Sequence, residues 1–294
     1  MTNLILKKLD EVVDLPSLPE IVTKLSNAIE DPNTSATDLS IIMADDPAIT
    51  AKVLRLVNSA YYGRTASGRE ITSVSYAIAR MGFREIQNIV FSLSVFNLFE
   101  SKTAIVNLKA FWHHCISVAI ATRVIHDYAA ASFEGAIIVD RDSLHVAGLL
   151  HDLGILVLNQ YFHSDYEKAF ALSGSSGIPL HEAESAVLGV DHAAVGAHLA
   201  RHWKLPDSVV HAIEMHHNPS GGELSEYDAQ LVRIVNLGDF ICNLHWPEDI
   251  SENLSGDAHL FSLKSLKLPM KNLTEILDLV EEEASRSEVL VALI

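Results

Sequence analysis

The chain has little of what usually marks a specialised scaffold. Of its 294 residues two are cysteine, Cys115 and Cys242. Each lies in an apolar helical context that suits a small buried hydrophobe, which argues against a disulfide framework and for a reducing compartment. Proline (9) and glycine (14) are scarce while 49% of residues are hydrophobic, a balance that excludes fibrous and disordered classes. Basic residues are outnumbered, 21 against 38 acidic, for a net charge of −17. Gripping a phosphate backbone needs the opposite balance, so direct nucleic-acid binding is not expected. A small anionic ligand stays compatible with an acidic surface where a metal or a local basic pocket reverses the sign. Long apolar runs are missing too. The most apolar stretch, Leu149 to Leu158, is interrupted by His151 and Asp152 and falls short of the ~20 residues a membrane helix needs. With no secretion signal in its first residues, the chain is expected to be cytoplasmic and not membrane-bound.

What is present is helical periodicity. Ser17, Pro19 and Glu20 make a capping-box arrangement before Ile21, Val22, Leu25 and Ile29, and Asp31-Pro32-Asn33 ends that helix. Asp46-Pro47 reads as a cap and first-turn proline for Ile49, Val53, Leu56 and Val57, with breaks at Gly63 and Gly68. Helices follow over Ile71 to Met81, Phe83 to Phe99 and Leu108 to about Ala131, with a polar stretch at Ser101-Lys102 between the last two. Further patterns cover 141–159, 164–173, 180–188, 192–203, 207–217 and 226–245. A last amphipathic helix carries Ile276, Leu277 and Val280, with Asn272 and Glu275 as cap residues and Glu281-Glu282-Glu283 as a solvated face. Strand signals are almost absent and there is no fixed-period repeat, so the expected class is all-α and not a solenoid. The expected division is 1–104, 105–250 and a C-terminal helical extension 251–294.

Fifteen histidines are too many to share one role. His151 and Asp152 stand in Ala147-Gly148-Leu149-Leu150-His151-Asp152-Leu153-Gly154-Ile155-Leu156, where a carboxylate is costly to bury without a cation. The alternative, a buried ion pair with Arg or Lys, has only the distant Arg141 to draw on. Neighbouring residues of a helix project about 100° apart, so the two would share an ion near the helix surface and other helices must complete its shell. The candidates are His114, His192, the pair His216-His217, and Asp239, each group on its own expected helix. Mixed nitrogen and oxygen donors suit one or two divalent ions, iron or manganese first and zinc second, with Asp152 able to bridge a pair. Two ions would polarise a phosphoryl oxygen and acidify water, which makes Asp152 the catalytic candidate of an active enzyme. His145, His163, His198, His202 and His211 read instead as hydrogen-bonded core residues, and His113 as a weaker candidate than His114. His181-Glu182 reads as capping and surface chemistry.

These residues resemble the HDOD family. The resemblance rests on Leu15-Pro16-Ser17-Leu18-Pro19, on the run from Asp46 through Asn58-Ser59-Ala60-Tyr61-Tyr62-Gly63, and on Ile71 to Gly82. It continues through Phe111-Trp112-His113-His114, Ala147 to Gly154, Gly189 to Ala197, Trp203-Lys204-Leu205-Pro206 and His216-His217, covering roughly residues 14 to 245. It implies an N-terminal helical part packed on an HD-like helical half, related to metal-dependent HD phosphohydrolases and to the HD-GYP cyclic di-GMP phosphodiesterases. It also implies a place in bacterial signal transduction, acting through signalling proteins or a nucleotide or phosphoester ligand. Many relatives have lost metal ligands and serve as regulatory modules, whereas this chain keeps His114, His151, Asp152, His192, His216, His217 and Asp239. Three departures stand out. Ile155 occupies the place of a phosphate-holding lysine. Asn218-Pro219-Ser220-Gly221-Gly222 lacks the Gly-Tyr-Pro element, which disfavours cyclic di-GMP. Ala110 replaces an acidic residue one turn before His114, which disfavours a third ion. No chemistry is assigned to Asn58 or Tyr61-Tyr62-Gly63.

Overall fold

A computed structural model describes residues 4–12, 15–59, 70–99, 105–132, 138–245 and 258–292. The expected breaks at Gly63 and Gly68, the Tyr61-Tyr62 pair and the polar Ser101-Lys102 stretch lie outside the described residues. Every regular element among those described is helical, as the patterning predicts. In chain order the first are α1 (Leu4–Asp10), α2 (Glu20–Glu30), α3 (Ala36–Ala44), α4 (Pro47–Val57), α5 (Val74–Met81) and α6 (Phe83–Phe96). Then come α7 (Leu108–Ser132), α8 (Arg141–Leu150), α9 (Leu153–Tyr161), α10 (His163–Ser176) and α11 (Leu180–Leu188). The last are α12 (His192–His202), α13 (Asp207–Met215), α14 (Glu226–His245), α15 (Ala258–Ser265) and α16 (Leu273–Val291). No helix among the described residues is long and apolar enough to cross a membrane.

The helices group into two compact units, one of Met1–Leu15 with Ser101–Ala284 and one of Pro16–Glu100 with Ser285–Ile294. This grouping differs from the division read from sequence at 104/105 and 250/251, for reasons visible in the contacts. Asp10 of α1 pairs with His198 of α12 at 3.0 Å, and Ile5 and Leu9 are buried. In the extension, Ser262 of α15 donates to Asn236 of α14 at 2.7 Å, and Ile276 and Val280 of α16 are buried.

In the smaller unit, α2, α3, α4, α5 and α6 enclose Leu25, Leu39, Met43, Val53, Leu56, Ile78 and Ile86. Fully burying a side chain of this kind contributes roughly 1.5–3 kcal/mol. Asp46 caps α4 by accepting from the Ile49 N–H, with Pro47 in the first turn. The capping box expected at Ser17 does not form. Pro19 stands at that N-cap without a side-chain bond, because the helix starts two residues too far along for Ser17 to reach its free N–H groups. Asn58 plays a structural part. Its amide donates to the carbonyls of Leu54 and Ile71 at 2.8 Å, and its oxygen accepts from the Ile71 N–H at 2.7 Å. One side chain thus ties the end of α4 to the stretch of chain entering α5.

The larger unit is organised by close helix approaches. α7 packs on α8 and α14, α9 on α12, and α13 on α8, α12 and α14. Two glycines permit this. A Cβ on Gly154 of α9 would lie 1.9 Å from the His192 carbonyl oxygen of α12, and one on Gly148 of α8 would lie 2.9 Å from the Ala119 Cα of α7. The helix expected over 141–159 is two, α8 and α9, with His151 and Asp152 at the junction. Asp152 adopts φ −98, ψ 4, the sparsely used bridge conformation that turns the chain. The helix expected over 207–217 likewise ends at Met215, leaving His216 and His217 in the turn behind it. Asn272 and Glu275 do not cap α16; both bond the Tyr128 hydroxyl of α7.

Gly154→Ala is expected to lower stability by about 1–3 kcal/mol, since helix backbone must move. Gly174→Ala in α10, where a Cβ meets nothing within 4 Å, should be neutral or stabilising by about 0.4–1 kcal/mol. Thermal or denaturant unfolding of the two variants beside the parent checks the contrast, and equal melting of all three would contradict the close approach.

Candidate metal centre

All seven side chains singled out from the sequence meet in the larger unit. His114 reaches in from α7, His151 and Asp152 from the α8–α9 junction, His192 from the first turn of α12, His216 and His217 from the turn after α13, and Asp239 from α14. Asp152 lies between two sets of donors and is 2% exposed. Its Oδ2 is 3.6 Å from His114 Nε2 and 3.3 Å from His151 Nε2. Asp239 Oδ1 joins the same two nitrogens at 3.2 Å and 3.5 Å, and the nitrogens are 3.3 Å apart. The other oxygen, Asp152 Oδ1, is 3.3 Å from His192 Nε2 and 3.5 Å from His216 Nε2, and His217 Nε2 lies 2.8 Å from His192 Nε2. Asp152, His192, His216 and His217 therefore form one candidate cage, and Asp152, His114 and His151 another.

Whether these donors fit a cation is decided by their spacing and their protons. Ligands held about 2.0–2.2 Å from one ion stand about 2.8–3.6 Å apart around an octahedron or tetrahedron, the range seen here. His151 Nδ1 donates to the Gly148 carbonyl at 2.8 Å and His216 Nδ1 to the Ile213 carbonyl at 2.7 Å. His192 Nδ1 donates to Glu184 Oε2 at 2.7 Å. Each neutral ring then presents a lone pair at Nε2, aimed at carboxylate oxygen or at another nitrogen. His216 Nε2 and Asp152 Oδ1 have no hydrogen-bond partner though both are buried. Lone pairs facing lone pairs are tolerated only around a proton or a cation, so the set fits divalent metal.

Without the ion, protons must fill that role. Burial disfavours a charged His151, yet Asp152 and Asp239 overrule it and raise its pKa to about 10. His192 is raised well above its usual value against the same burial by Glu184 and Asp152. Asp152 and Asp239 are held below the usual carboxylate range, against burial, by the imidazoles around them. His217 goes the other way, lowered by burial and by His216 and His192.

Two participants escape a reading of the sequence. Glu184 of α11 is fully buried and accepts from both the backbone N–H and the Nδ1–H of His192 at 2.7 Å. Its only signal was a carboxylate beside Leu180 and Ala183 on one face of an amphipathic helix. His181, read as capping and surface chemistry, instead stacks on His217 with centroids 4.1 Å apart and 15° between planes. Pro179, not a side chain, stands at the start of that helix. The remaining histidines stay outside. His163 faces Asn159, His198 faces Asp10, His211 faces Asp228, and His113 and His145 belong to neither cage. His202 is exposed and so is not the core residue expected.

The sequence profile described as HDOD domain matches residues 15–219. Three solved structures share the fold. An HDOD domain protein of unknown function from Geobacter sulfurreducens is 23% identical with a TM-score of 0.78, each chain covered to 98%. A candidate signal transduction protein from Marinobacter aquaeolei VT8 is 24% identical with a TM-score of 0.77, over 97% of this chain and 61% of that one. A candidate phosphohydrolase from Shewanella amazonensis SB2B is 22% identical with a TM-score of 0.70, over 97% and 98%. An uncharacterised protein of Treponema pallidum (strain Nichols) is 29% identical over 209 residues, 71% of this chain but 39% of that relative.

His151's folded pKa lies above its ordinary 6.5. Its proton-dependent stabilisation in the ion-free protein is therefore complete below about pH 6.5 and lost as pH rises through about 10. An ion competes with that proton for Nε2, so metal affinity should run the opposite way and rise with pH. Calorimetric titration of the ion-free protein at pH 6 and pH 8, in buffers of different ionisation heat, should show tighter binding at pH 8 and proton release. A pH-independent affinity without proton release would contradict this account of the site.

Proposed function

Because the chain belongs to the HDOD family, whose profile covers residues 15–219, we propose that it is a bacterial signal-transduction module built around a His/Asp metal centre. The centre holds one or two divalent ions, iron or manganese by preference and zinc as the alternative. The module works in the cytoplasm through signalling proteins or a small ligand. The observation that carries the reading is the closure of the site. His114, His151, Asp152, His192, His216 and Asp239 are buried, and only His217 is part-exposed. The lysine position that could hold phosphate is Ile155, itself buried. A centre so enclosed is suited to setting the arrangement of α7, α8, α9, α12 and α14, which partners read from outside.

A second reading, a metal-dependent phosphohydrolase acting on a nucleotide or related phosphoester, is favoured by one geometric fact. Asp152 turns a separate oxygen to each donor set, which is how a single carboxylate spaces two ions. Bound ions would supply Lewis acidity toward a phosphoryl oxygen and acidify water. Asp152 would hold their separation, while His217 and His181 would border the side from which a substrate arrives.

Elemental analysis of protein purified without chelators should find iron, manganese or zinc at one or two per chain, falling sharply in Asp152→Ala. Metal-free parent protein would sink both readings. Turnover of phosphodiesters and nucleotides separates them. The regulatory reading expects no rate above that of Asp152→Ala, whereas a large excess in the parent, on the order of 100-fold or more, would establish the enzyme.

A further inference from the structure

The two donor sets differ in composition and in what stands behind them. The set on Asp152 Oδ1 is rich in imidazole, with His192, His216 and His217. The set on Asp152 Oδ2 has two imidazoles, His114 and His151, and a second carboxylate oxygen from Asp239. Behind the first stands Glu184, fully buried, whose only ion-pair partner among the described residues is His192. Its Oε2 takes both the ring Nδ1–H and the N–H that opens α12, and its Oε1 is left without a hydrogen bond. Among the described residues nothing equivalent backs the other set. His114 Nδ1 has no hydrogen-bond partner, His151 has only a neutral carbonyl, and Asp239 accepts from the Asn243 amide at 2.8 Å.

A carboxylate behind an imidazole does two things. It fixes the ring in the tautomer and orientation that aim Nε2 inward, and it adds electron density to that nitrogen, which strengthens its bond to a cation. The buried Glu184 also needs a positive charge nearby, and a cation one ring away supplies it. Building on the metal-centre reading above, we propose that Glu184 is a positioning residue that makes the two cation positions unequal. The His192–His216–His217 position is the tight one and fills first. The His114–His151–Asp239 position is the exchangeable one, whose occupancy follows the ions available around the protein. Imidazole-rich surroundings add to this preference for a borderline metal such as cobalt(II), while the oxygen-rich position is left to harder ions.

The test is titration of the metal-free full chain with cobalt(II), followed by calorimetry and by the visible ligand-field bands. The parent should bind in two steps. Glu184→Gln should weaken the tight step by about 10- to 100-fold and leave the weak step in place. Asp239→Asn should do the reverse, and Glu184→Asp should restore part of the tight step. Thermal unfolding of the ion-free proteins identifies a variant that has lost its fold. In case Glu184→Gln does so, anomalous diffraction from parent crystals grown with one equivalent of cobalt decides the same question without a variant. Cobalt at the His192–His216–His217 position is expected there, and cobalt at the other position overturns the proposal. Equal affinities, or a Glu184→Gln titration that matches the parent, also overturn it while leaving the metal centre standing. A parent that binds no cobalt removes the metal reading itself, and this proposal with it.

Discussion

A single carboxylate, that of Asp152, imposes the condition the larger unit must satisfy. It is buried, it is joined in the same region by Asp239 and Glu184, and imidazoles are its neighbours on both sides. An uncompensated charge in such surroundings costs several kcal/mol even after the protein relaxes. Protons on the histidines or cations between the donors remove that cost, and both act at the same Nε2 atoms. Protonation, any cation held there and helix packing would thus be one equilibrium at this site.

Much of the backbone design serves that meeting. A continuous helix through 141–159 would send His151 and Asp152 out along one rod. The break at Asp152 lets α9 turn away toward α12 while the two side chains stay at the crossing. Glycine at 148 and 154 lets α8 reach α7 and α9 reach α12 closely enough for His114 and His192 to approach Asp152 from opposite sides. Polar contacts then hold the turns. Asn236 donates to the His216 carbonyl and accepts from Ser262 of α15, which connects the turn carrying His216 to the C-terminal part of the unit. This connection gives the regulatory reading a physical route, since whatever repositions His216 acts on a bonded chain that ends in α15.

The sequence was legible where one periodicity persisted. α6, α7, α11, α12 and α14 appear close to their expected limits, because a stripe of apolar residues recurring along one face has a single helical solution. It was less legible where apolar residues cluster without helical spacing. α3 went unread, although Ser35 and Asp38 form a reciprocal capping box there, because Leu39, Ile41, Ile42 and Met43 run together instead of marking one face. The junction at His151-Asp152 was hidden for another reason. Leu149-Leu150 and Leu153 to Leu158 are apolar throughout on either side of His151-Asp152, so periodicity cannot tell one helix from two. The division of the chain into units was obscured by α1, whose seven residues carry only Ile5 and Leu9 as buried anchors.

Residue types and spacing, read together with the family resemblance, were enough to single out the seven side chains that meet. Histidines and aspartates placed among Leu, Ile, Val and Ala have no cheap fate in a core except shared coordination or shared protons. Only the tertiary structure decided how they meet. That Asp152 offers one oxygen to His114 and His151 and the other to His192 and His216 depends on helix crossings set by backbone contact. That Glu184 rather than Glu182 lies behind His192 depends on which face of α11 turns inward. Periodicity reports that a helix has an inward face; the packing of its neighbours settles what that face touches.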